Sequence, residues 1–520
     1  MTPADVVADC SATLEPLATA ANGAWWDANV DARDDTQLRR ADAELALSDA
    51  LSDPAVFEAI RAARSDRGLD PLVARELDLL DQSFAPNQVG ADLRREIVEL
   101  QGDIEARFAR HRGTIDGDAV DDNEILEVLR SSDDPARRSA AWTASKTVGE
   151  EVAGDVRKLV RLRNRAARSL GFRDHFALTL ATTDFDESRL FATLAEVDSI
   201  TAAPFRTMKA ELDEQLAQRF AVSVDALRPF HYDDPFFQDA PSAIGVDLDP
   251  HLRDADLEEL TVRSFEAMGL DVRSVVARSD LVPRPGKVQH AFCIDVDRDG
   301  DVRVLSNNAP SARWAETMLH EFGHAAYFDG VGRDLPWLLR TMHLCLTEGV
   351  AMRCGRLVHD PEWLRRIAGV PAETVADLAP RLRAAARAQL LIFARWVLVM
   401  THFERGLYAQ PDGDHDDRWW DLVEQFQLVR RPDGRHAPDW AAKIHIAAAP
   451  VYYHNYLFGE MIASQLAASL GGLVDDGGGA GRALETRVFA PGATQRWDRL
   501  IEHATGAPLT PAVFTRELAS

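Results

Sequence analysis

The segment His320-Glu321-Phe322-Gly323-His324 constrains this chain more than any other stretch. Two histidines four residues apart meet on one face only if the segment is helical, one turn separating the imidazoles. Trp314, Met318, Leu319, Phe322, Ala325 and Ala326 recur around them at helical spacing, which predicts an amphipathic helix. Ser311 reads as its N-cap and Asp329-Gly330 as its stop. Gly323 costs about 1 kcal/mol against alanine in a helix interior, so its presence predicts a close neighbour. Two imidazoles so placed are a ligand pair for one zinc ion. Glu321 then stands beside the open coordination position, where it can take a proton from water.

Glu348 follows His324 by 24 residues, in Leu346-Thr347-Glu348-Gly349-Val350-Ala351-Met352, which reads as the start of a second helix. His320, His324 and Glu348 therefore make a His2Glu set with one position left for water. Such a site also needs donors for the oxyanion that develops in hydrolysis. Candidates occur in Lys443-Ile444-His445-Ile446 and Pro450-Val451-Tyr452-Tyr453-His454-Asn455-Tyr456. Tyr453 and Tyr456, three apart, would share a helix face, although an aromatic helix packed in the core accounts for them as well. His343, His359 and His454 read as ordinary histidines.

The surroundings limit the function classes. A formal net charge of -26 argues against nucleic acid or an anionic membrane as partner. It suits a high-salt interior or a GC-rich genome, as does the restriction of lysine to positions 146, 158, 209, 287 and 443. Cys10, Cys293, Cys345 and Cys354 are too scattered for a disulfide framework. Met1-Thr2-Pro3-Ala4-Asp5 shows neither a positive region nor an apolar run, and no stretch of about 18 uninterrupted apolar residues occurs. The expectation is a cytoplasmic protein without a membrane span.

Helical patterns dominate, for example Leu93 to Arg112 and Glu150 to Leu170. Strand signals are confined to Ala291-Phe292-Cys293-Ile294 and Val302-Arg303-Val304-Leu305. Loops are expected at 228–250, 411–418, 430–438 and 471–481. The turn Asp295 to Asp301 looks like the opening of a calcium loop. Its last position is Ser306 rather than glutamate and strands flank it, so an Asp-Gly hairpin turn explains it better. The fold class expected is mainly α: one unit over residues 1–520, with a small β-hairpin beside the motif helix.

Taken together, these blocks resemble the angiotensin-converting-enzyme family of dipeptidyl carboxypeptidases (peptidase family M2) in its shorter bacterial form. Ala20-Ala21-Asn22-Gly23-Ala24-Trp25-Trp26, His290-Ala291-Phe292, Asp301-Val302-Arg303-Val304, Trp419-Trp420 and the Lys443-x-His445 block carry the likeness, from about residue 15 to about 470. The thimet and oligopeptidase-F peptidases share the zinc motif and the Tyr-x-x-Tyr helix. The resemblance implies a helical ellipsoid whose two halves flank a deep channel, with oligopeptides as substrates. It implies zinc on His320, His324 and Glu348, with Glu321 as general base and then acid. His445 and Tyr456 would stabilise the oxyanion, Lys443 and Tyr453 would hold the substrate's terminal carboxylate, and His290 with Ala291 would line the cleft.

Some positions depart from the family pattern. An ungapped alignment would choose Tyr452 and put Asn455 at the catalytic tyrosine position; one inserted residue keeps Tyr453 and Tyr456. Chloride-activated members carry arginines where Val423 and Asn455 stand, so chloride dependence is expected to be weak or absent. A glutamine that helps hold the carboxylate has no clear match near 229–238. The aspartate often found four residues after the ligand glutamate is Met352 here. Two rivals follow: an oligoendopeptidase that ignores the terminal carboxylate, and a zinc-containing peptide-binding protein without turnover.

Overall fold

Helices in this chain begin repeatedly at an Asp-Pro pair: Asp53-Pro54, Asp70-Pro71, Asp134-Pro135 and Asp360-Pro361. In each pair the aspartate accepts backbone N–H groups from two or three residues on, and proline fills the first helical position at no cost in hydrogen bonds. A computed structural model describes residues 1–288, 290–474 and 478–519. It is 69% helix and 3% strand, the mainly α class that the periodicity predicts. The expected helices correspond to Ala91–Arg110 and Thr147–Ser169, which end two residues and one residue before the expected ends.

Four helices open the chain: α1 (Pro3–Val30), α2 (Asp34–Leu51), α3 (Pro54–Arg64) and α4 (Pro71–Phe84). They enclose a small core of their own, in which Val6, Leu14, Ile60, Leu77, Leu80 and Phe84 close on Trp337 and Leu338. A second, far larger core spans the rest of the chain. Ala372–Ala409 runs through it and is long and apolar enough to cross a membrane. Of its apolar window 67% is buried inside the protein, and it carries a buried Arg395 paired with Asp198. It is a core helix.

Two antiparallel hairpins complete the structure. β1 (Gly113–Ile115) pairs with β2 (Asp118–Val120) in a region where no strand was expected. Its turn is Asp116-Gly117, both residues at positive φ (55° and 94°), the conformation that a two-residue hairpin demands. β3 (Phe292–Asp295) pairs with β4 (Val302–Leu305), Phe292 opposite Leu305, close to where strands were expected. In the turn between them Asp299 pairs with Arg340 and Asp301 with Arg303, while Asp297 accepts backbone N–H groups. The acidic run is a hairpin turn in which two of the four aspartates are ion-paired and Asp297 caps backbone N–H groups.

The loop expected to reach Arg418 ends sooner, because Asp414 accepts the Asp417 N–H and caps a helix from His415 to Gln427. Of the loop expected over 471–481, residues 475–477 lie outside the described residues, and a helix resumes at Gly479.

Candidate active site

The motif helix is Ala312–Asp329, opened by Ser311 Oγ accepting the Trp314 N–H at 3.2 Å. Met318, Leu319, Phe322, Ala325 and Ala326 are buried, which turns His320, Glu321 and His324 to a partly open face. The glutamate helix, Leu344–Gly355, crosses it at backbone distance. A Cβ on Gly323 would stand 2.8 Å from Ala351 Cα, so the costly glycine is there because nothing larger fits. A tyrosine helix, Tyr453–Leu470, crosses the glutamate helix at Gly459, where a Cβ would meet Glu348 Cβ at 3.0 Å. These two crossings bring the candidate ligands to one point.

His320 Nε2 and His324 Nε2 lie 3.2 Å apart, and they stand 3.7 and 3.9 Å from Glu348 Oε2. Ligand atoms at about 2.0–2.2 Å from a tetrahedral zinc ion would be roughly 3.3–3.6 Å from one another, so the triangle fits that ion. The donor set agrees. Glu348 Oε2 is buried without a protein partner, whereas Oε1 accepts the Tyr452 hydroxyl at 2.9 Å. With Nε2 of His324 turned to the ion, Nδ1 carries the proton and donates to Thr347 Oγ1 at 2.6 Å. Tyr452 and Thr347 thus support the ligands where Met352 cannot. Burial keeps His324 neutral, its pKa well below the usual histidine value.

Glu321 sits beside this triangle. Burial pushes its pKa up to about 7, with His320 acting against the rise and Glu348 adding to it. The backbone N–H of Cys293, on β3, also donates to it. The hairpin is held from the other side by α1: Phe292 packs on Trp25 and Trp26 at 4.4 and 6.0 Å, and Asn22 Nδ2 donates to the carbonyls of Asp295 and Val296.

A second polar group stands on the tyrosine side. Lys443 Nζ donates to Gln238 Oε1 at 2.8 Å and lies over the rings of Phe236, Trp396 and Tyr453 at 5.1 to 5.8 Å. Gln238 lies at the end of 229–238, where the sequence shows no clear match for a carboxylate-holding glutamine. Burial lowers Lys443 to about 8, with Asp234 and Asp239 opposing the shift. Tyr453 packs between Trp396 (5.8 Å) and His445 (5.1 Å). Burial brings His445 down to about 4, with Lys443 and His290 contributing, so its imidazole is neutral at pH 7. Its Nδ1 is buried without a partner among the described residues.

Tyr456 lies between the two groups. Its ring is 5.5 Å from that of Tyr453 and 5.1 Å from that of Tyr452. Burial raises its pKa, and the charges of Glu348 and Glu321 raise it further. Arg163 donates to the carbonyls of Ile446 and Ala447 and so anchors the short helix at His445. Glu404 accepts the Val451 N–H at 2.8 Å, holding the left-handed Val451 (φ 56°) that turns the chain into the tyrosine helix. His290 is exposed and Ala291 half-buried, immediately before β3.

The matched part of the chain is the one that grips the hairpin. Its model, over residues 3–224, is that of angiotensin-converting enzyme. Residues 3–224, somewhat under half of the chain, are similar to the angiotensin-converting enzyme family. That match supports a peptidase of the angiotensin-converting enzyme type. The match ends before the motif helix, so His320 to His324 and Glu348 are observations independent of it. Peptidases of the angiotensin-converting enzyme family are zinc enzymes. No curated protein matches the chain.

Proposed function

We propose that this chain is a zinc-dependent peptidase that releases dipeptides from the free C-termini of oligopeptides. One observation carries the reading: a His2Glu triangle with its glutamate base and a Lys443–Gln238 pair are joined through the edge-packed rings of Tyr452, Tyr456 and Tyr453. When bound by His320, His324 and Glu348, zinc would polarise the scissile carbonyl and make the attacking water acidic near neutral pH.

The protein's own residues do the rest. Glu321 takes the proton of the attacking water and returns it to the leaving amine. The Tyr456 hydroxyl and an N–H of neutral His445 donate to the carbonyl oxygen as it becomes negative. Lys443, Gln238 and Tyr453 receive the terminal carboxylate, a charge-assisted contact in a desolvated setting. His290 and Ala291 lie ahead of β3, beside the base, where an extended substrate would pass.

The test is mass spectrometry of the products of one unblocked decapeptide and of its C-terminal amide. Stepwise loss of dipeptides from the free acid, suppressed by amidation and absent with Glu321→Gln, is the expected result. Internal fragments from both peptides would make the chain an oligoendopeptidase instead. Zinc binding without any cleavage would leave a peptide-binding protein.

A further inference from the structure

A cavity of about 340 Å³ lies under α1, α2 and α4, and its lining shares no residue with the site above. This is the small end of the range of about 300–1,000 Å³ in which small molecules are bound. One side is apolar, formed by Leu14, Leu51 and Leu79 among others. The other side is cationic. Arg75 donates through Nη2 to Asp184 (2.7 Å) and through Nε to the Ala493 carbonyl (3.1 Å), while its Nη1 is buried without a partner. Trp337, 9% exposed, likewise has no partner for Nε1. The Arg298 guanidinium lies 4.4 Å over the Trp337 ring and makes no ion pair among the described residues.

The carboxylate in this lining is already engaged. Asp184 accepts from Arg75, from Arg496 at 3.1 Å and from Gln82 at 2.6 Å. Burial lowers the pKa of Arg298, and Asp295 and Glu15 oppose that from beyond pairing distance. Positive charge therefore exceeds negative charge at the cavity wall, where the Arg298 guanidinium has no ion-pair partner among the described residues. Leaving a guanidinium without an acceptor costs about 1–3 kcal/mol or more, so native structures rarely keep one without a ligand or water.

We propose that this cavity binds a small organic carboxylate with an apolar side chain, its carboxylate meeting the Arg298 guanidinium and its side chain lying among the leucines. N-acetyl-L-leucine is a probe of that chemistry. It is titrated by calorimetry into metal-free protein carrying Lys443→Met, which removes the carboxylate hold of the catalytic cleft and makes the readout independent of zinc and turnover. One equivalent is expected to bind. Adding Arg298→Gln weakens it about tenfold or more, as for a lost hydrogen bond to a charged group. Leu51→Trp, which fills the apolar side, abolishes binding and in the wild-type background leaves peptide hydrolysis unchanged. N-acetyl-L-leucinamide does not bind.

Binding that survives Arg298→Gln and Leu51→Trp overturns the proposal, as does no binding up to millimolar probe. Displacement by sodium chloride as effective as by the probe itself also overturns it, making the cavity an inorganic-anion site.

Discussion

The metal triangle and the Lys443 group are assembled in different ways. At the triangle, the ligands come from one helix turn and from a glutamate 24 residues downstream, and Thr347, next to that glutamate, orients His324. At the Lys443 group, the lysine meets Gln238 from 205 residues away, and the aromatic wall comes from Phe236, beside Gln238, and from Trp396 and Tyr453 on two further helices. Helix geometry brings the candidate ligands and base together, and tertiary packing assembles the Lys443 group. The two ends should therefore fail separately.

The sharpest break is Glu321→Gln, which removes the base and not a ligand. Its kcat should fall by about 10³-fold or more on free-acid and amidated peptides alike, with zinc content unchanged by elemental analysis. Next come Thr347→Val and Tyr452→Phe, which leave the ligands but not their supports. Each should weaken zinc by about 10–100-fold in a chelator competition, without altering the ratio of rates on the two peptides. Lys443→Met should do the reverse. It should lower kcat/KM on the free acid by about 10–100-fold, leave the amide within about twofold, and leave zinc affinity untouched. An equal loss on both peptides would show that the two ends are not separable.

The smallest effect is one of proton balance. With its pKa raised to about 7 in the metal-free protein, Glu321 holds a proton at pH 6 that a nearby dication would expel. Zinc binding at pH 6 should therefore release about one proton more from the wild type than from Glu321→Gln, measured by calorimetry in buffers of different ionisation enthalpy. Because binding releases protons, zinc affinity rises with pH up to about 7, and that part of the rise stops there.

The difference between the ends also explains what was legible. The motif helix, its Ser311 cap and the β3–β4 hairpin follow from spacing and capping chemistry within a few residues. Gly323 announced a close neighbour, although Ala351 could be named only once the helices were seen to cross. The β1–β2 hairpin carried a readable Asp116-Gly117 signal, but its three-residue strands are too short to show alternation. Gln238 gave no local sign, because its contact with Lys443 exists only after the two segments pack. Tyr452 was set aside in favour of Tyr453 and Tyr456; the structure gives all three tyrosines separate places, with Tyr452 on the carboxylate of Glu348.

The glycine crossings bear on how such a site could be emptied and refilled. Helices that touch through Gly323 and Gly459 are fastened by backbone contact, and Thr347 and Tyr452 hold His324 and Glu348 in place by hydrogen bonds. The scaffold is then independent of its ion. A chelator should strip the protein without unfolding it, and cobalt should enter the same three-ligand frame, giving a coloured reporter in a site otherwise spectroscopically silent.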